Sequence, residues 1–93
     1  MSKYCMRIDN SVEWSKVRTK LQQSAQVNMP EFIHDAKRIL QTIDEDVKNL
    51  SMMEVEVRSG RRRDNVLIPM LEQVNNKIKT YEKFYMIALM AKS

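Results

Sequence analysis

Ile33, Ala36, Leu40, Ile43, Val47, Leu50, Glu54 and Val57 recur at alternating steps of three and four residues. That is the spacing of one stripe along an α-helix, and of a coiled-coil seam. Only Glu54 breaks its apolar character. Phe32, Ile39 and Met53 lie beside the stripe and widen it, most densely in the first half. A wide stripe can bury against two neighbours and a narrow one against a single neighbour. The first half of this helix is therefore expected to have two partners and the second half one. Asn28 is a candidate cap, Pro30 falls in the first turn, and Glu31 suits the positive helix end. Gly60 is the chain's only glycine and stands where a left-handed stop is needed. A helix over residues 29–58 would run about 45 Å at 1.5 Å per residue, so one end is expected to project.

Two further helical patterns flank this one. Asn10 followed by Glu13 is a capping-box variant, and Trp14, Val17, Leu21 and Ala25 then step three, four, four. This predicts a sparse first helix over residues 10–27, preceded by an irregular segment 1–9 in which Tyr4, Met6 and Ile8 alternate with polar residues. Leu67, Leu71, Val74, Ile78, Tyr81, Tyr85 and Ala88 form a third stripe, predicting a helix over residues 65–91 with Asp64 or Asn65 as cap and Pro69 close to its start. Short links at residues 28–30 and 60–63 make successive helices antiparallel.

The expected fold is all-α: one domain over residues 1–93, with a short N-terminal helix and a long antiparallel helical hairpin forming a coiled-coil-like three-helix bundle. Its core is expected where the first half of the long helix meets the first helix and the C-terminal end of the last. The competing reading is a β-hairpin over residues 53–68, since Met53 to Val57 alternates and Val66-Leu67-Ile68 is apolar and β-branched-rich. The helical stripe through the same residues is the stronger pattern.

Charge divides the chain in three. Residues 1–29 carry five Lys/Arg against two Asp/Glu, residues 30–60 four against seven, and residues 61–93 seven against three. An acidic middle between basic flanks suits complementary packing inside a bundle. It weakens the case for nucleic acid, because the acidic segment repels phosphates. One cysteine, Cys5, allows no internal disulfide and fits a reducing, cytoplasmic setting. No apolar run reaches membrane-spanning length, and the start lacks the apolar region of a secretory signal.

Candidate chemistry is thin. Arg61-Arg62-Arg63 could contact phosphate or an acidic partner, but three residues fall short of the usual basic run, and Lys77, Lys79 and Lys83 do not continue it. Glu31 and His34 share a helix face at the spacing of a bundle metal motif, yet the chain has one histidine, and no metal or other cofactor is expected. Cys5 has no resolving partner. Asp44-Glu45-Asp46 points in three directions from a helix, as a solvated face would, and does not pair for acid–base work. No catalytic residues are assigned, and an enzyme is not expected.

The functional expectation rests on the end of the chain. From Phe84 through Met90 every residue is apolar, on all sides of a helix. A single neighbour cannot cover all of it, and exposed apolar patches mark interfaces. Tyr81, Phe84, Tyr85, Met86, Ile87, Leu89 and Met90 are therefore the candidate partner-binding residues, with methionine supplying an adaptable surface. The expected role is a non-enzymatic interaction module such as an adaptor, regulator or chaperone. It would bind another protein or itself, as a homodimer or higher oligomer, through its apolar helical seams and C-terminal helix. A small basic nucleic-acid-binding regulator acting through Arg61 to Arg63 is the alternative.

Overall fold

The computed structural model describes residues 7–92. Tyr4, Cys5 and Met6, and any strand-like character they carry, lie outside the described residues. Three helices follow: α1 (Ser11–Asn28), α2 (Ile33–Arg58) and α3 (Leu67–Lys92), with short 3-10 turns at Pro30–Phe32 and Asp64–Val66. Among the described residues no strand forms. The hairpin reading of residues 53–68 is overturned, because α2 continues to Arg58. A strand would put Met53, Val55 and Val57 on one face; here Met53 and Val57 are half-buried while Val55 is exposed, as the helical phase requires.

Asn10 starts α1 from an extended backbone, its side chain accepting the N–H groups of Val12 and Glu13 at 3.0 and 3.2 Å. Glu13 reaches back one residue further than the capping box implies and accepts the N–H of Asp9 at 2.9 Å. The junction to α2 differs from the expected one. Asn28 does not cap α2; it is the last residue of α1 and donates its amide to the Tyr85 hydroxyl at 2.7 Å. The turn belongs to Met29, whose fully buried side chain plugs the core while its N–H returns to the Ala25 carbonyl at 2.9 Å. Asp64 and Asn65 lie inside the 3-10 turn that precedes α3, and Arg63, extended and making no side-chain cap, stands at the start of that turn.

α2 ends in a Schellman motif. The N–H of Gly60 meets the Val57 carbonyl at 3.1 Å and that of Arg61 meets the Glu56 carbonyl at 2.8 Å. This closure needs a left-handed residue just past the cap, and Gly60 has φ of 80°. The chain then reverses, and α3 runs antiparallel to α2.

The core is built where the stripes converge. Ala36, Leu40 and Ile43 of α2, Val74, Ile78 and Tyr81 of α3, and Ala25 of α1 are all fully buried. α1 covers more of α2 than its sparse pattern suggests. Its first residue, Ser11, hydrogen-bonds the Glu54 carboxylate, so the 18 residues of α1 lie along α2 from about Ala36 to Glu54. Glu54, the break in the apolar stripe, thus sits at the positive end of α1, where a carboxylate is favoured. Of the three helices, α2 and α3 continue beyond it, as a two-helix arm to Gly60. The molecule measures 51 × 25 × 16 Å with a radius of gyration of 14.6 Å, against about 12 Å for a compact chain of this length.

Replacing Gly60 with alanine should destabilise the fold by about 1 kcal/mol, read as a lower urea midpoint. A Cβ there would meet nothing within 4 Å, so the loss comes from the backbone angle alone. An unchanged midpoint would contradict this reading of the turn.

Candidate functional site

Residues two apart on a helix stand about 200° apart around its axis. Asp44 and Asp46 therefore emerge on opposite flanks of the buried stripe of α2, and each meets a different helix. Asp44 accepts the indole N–H of Trp14 at 2.6 Å and the Nε of Arg18 at 2.9 Å, both from α1. Asp46 meets Lys77 Nζ of α3 at 2.8 Å, with its side chain only 15% exposed. The expectation of a solvated carboxylate run is corrected: of the three, only Glu45 is exposed. Carboxylates from the acidic middle of the chain thus meet a basic side chain of each neighbouring helix at the margins of the buried stripe.

The space between α1 and α3 is filled by tyrosines. Tyr81 is fully buried and donates its hydroxyl to the Leu21 carbonyl at 3.1 Å. The Tyr85 hydroxyl lies 2.7 Å from Ser24 Oγ and accepts the Asn28 amide. Burial first, and the neighbouring Tyr85 second, push the Tyr81 phenol up to about 12. Both tyrosines thus belong to the core and leave the candidate contact surface. Phe84 and Leu89 are half-buried and pack against that core. The exposed members of the set are Met86, Ile87 and Met90, at 43%, 61% and 72%. The stripe of α3 turns inward through Tyr81, Tyr85 and Ala88, and these three lie on the opposite side.

The arginine tip is exposed throughout. Arg62 is not free: its Nε pairs with Glu56 at 2.5 Å. Arg61 and Arg63 extend from the end of the arm without an ion pair among the described residues. Glu31 and His34 are both exposed, and among the described residues no three metal-ligating side chains come together.

One feature of the surface has no counterpart in the periodicity. The Asn75 side chain accepts the Ile8 N–H at 2.8 Å and donates to the Ile8 carbonyl at 3.1 Å. A single amide thereby holds both backbone groups of one extended residue, and the Ile8 side chain is buried in the core. Beside this clasp lies an open groove of ≈ 470 Å³, bordered on α3 by Ile68, Glu72, Asn76 and Lys79. The only sequence signal for it is an asparagine immediately beside the buried stripe, at a position a bundle surface would fill with any polar residue.

Lys77→Met should leave the Asp46 carboxylate without its counter-ion in a nearly buried setting and lower stability by about 1–3 kcal/mol in urea titration. Adding Asp46→Leu should restore part of that loss. If the double variant is no more stable than Lys77→Met, the pair is not coupled. Tyr81 gives a pH dependence. The unfolded phenol loses its proton near pH 10, the folded one near 12. Its stabilising effect is complete below pH 10 and lost as pH rises from 10 through 12, on the order of 2 kcal/mol. Tyr81→Phe should be less stable at neutral pH by about 1 kcal/mol and should show a flatter alkaline decline. An equally steep decline would assign it to other groups.

Set against known protein families, curated proteins and solved structures, the chain matches none.

Proposed function

We propose that this chain is a small, non-enzymatic α-helical interaction module that works through the outer face of the C-terminal half of α3, on another protein or on itself, in a reducing, cytoplasmic setting. The observation that supports this is the exposure of Met86, Ile87 and Met90 on consecutive turns of one well-packed helix. Large apolar side chains clustered in this way on an ordered element favour a contact role, and methionine adapts to partners of varied shape. The buried seams have a structural part in this reading: they hold α3 rigid. The arginine tip is the weaker candidate, since Arg62 is engaged by Glu56 and Asp64 stands beside it.

A variant carrying Met86→Gln, Ile87→Gln and Met90→Gln keeps good helix formers at exposed positions, so its circular dichroism should match the parent. The parent should show a concentration-dependent mass by light scattering, or retain host proteins that the variant loses. A parent that stays monomeric and retains the same proteins as the variant would overturn the proposal.

A further inference from the structure

The back of α3 carries a second seam. Ile68, Glu72, Asn76, Lys79, Lys83, Met86 and Met90 step four, four, three, four, three, four, which is coiled-coil spacing on the side opposite the core. All seven are exposed. Glu72, Lys79 and Lys83 make no ion pair among the described residues. From Ile68 to Met86 the chemistry reads apolar, acidic, amide, then basic, basic, apolar; Met90 extends the seam beyond this set.

Reversed, that order is its own complement. We infer that the partner of this face is a second copy of the chain, docked α3 against α3 in antiparallel orientation about a twofold axis between Asn76 and Lys79. In this register Ile68 of one copy meets Met86 of the other, Glu72 meets Lys83, and Asn76 meets Lys79. The twofold repeats every pair, as an isologous interface requires. The paired positions sum to 154 or 155 in residue number, so one axial offset satisfies all three pairs. A parallel arrangement in register would place Glu72 on Glu72, Lys79 on Lys79 and Lys83 on Lys83, and is opposed by like charge. The relief matches as well. The groove of ≈ 470 Å³ borders the first half of the seam, at Ile68, Glu72, Asn76 and Lys79, while the projecting methionine lies on the second half. Each copy therefore offers a recess where the other offers a protrusion. The seam spans about 33 Å at 1.5 Å per residue.

This inference rests on the proposed contact role of α3 and adds the identity and register of the partner. The test is sedimentation equilibrium at low salt on the parent, Glu72→Lys, Lys83→Glu and the double variant. All three variants alter exposed positions and should keep the parent's circular dichroism. The parent should be a dimer. Each single change should weaken the dimer about tenfold or more, because it sets like charges together twice per interface. The double variant should recover to within about threefold of the parent, since the pairs are restored with reversed sign. Ile68→Gln, remote from Met86 within one chain, should weaken the dimer as Met86→Gln does. A parent dimer in which the two charge changes add rather than compensate overturns the register and leaves the contact role standing. A monomeric parent overturns self-association, and retention of host proteins lost by the glutamine variant then shows that the contact role survives without it.

Discussion

α2 has to bury against two helices at once, and the rest of the structure follows from that constraint. A stripe centred on Ala36, Leu40, Ile43 and Val47 is too wide for one neighbour. With α3 on one flank and α1 on the other, all four side chains leave water. Fully burying an aliphatic side chain of this kind contributes about 1.5–3 kcal/mol. No other interaction in the molecule recurs often enough to rival that sum. The ion pairs and hydrogen bonds act at the margins of the stripe, where they decide which surfaces meet.

Those margins are polar in a specific way. On the α1 flank, Asp44 receives an indole and a guanidinium; on the α3 flank, Asp46 receives an ammonium. Glu54 meets the start of α1, and Glu56 ties down the loop through Arg62. Four of the carboxylates of α2 are thereby spent inside the molecule. The more exposed of these pairs contribute little each, but a pair set beside a buried stripe penalises any sliding of one helix along another. The charge division of the chain is thus a device for register.

The helices and their seams were legible in the sequence because periodicity reports burial directly. The seam of α3 through Leu67, Val74, Ile78, Tyr81 and Ala88 needed no partner to be recognised. Gly60 was legible for a different reason: a lone glycine after a helical pattern has few other uses. Asn28 and Met29 were not. Asparagine is a good cap, and local preference pointed to it, but the demand to bury Met29 moved the turn one residue and left Asn28 to satisfy Tyr85. How far α1 reaches along α2 was likewise hidden, because it shows in Ser11 meeting Glu54, which are 43 residues apart. Composition located an apolar stretch, Phe84 to Met90, but could not divide it between core and surface. Only the phase of α3 against its neighbours assigns Tyr81 and Tyr85 to the inside and Met86 and Ile87 to the outside.

The clasp between Asn75 and Ile8 joins residues 67 apart in the chain. It is made by a side chain of the last helix and the backbone just ahead of the first. That contact cannot form until the hairpin of α2 and α3 has closed and brought Asn75 level with the start of α1. The entropy of closing so long a loop is large in total, though it grows only slowly with length. Local helix and hairpin contacts face no such demand and form readily. Ile8, which lies ahead of α1, is therefore held in place by a helix that comes after both α1 and α2 in the chain.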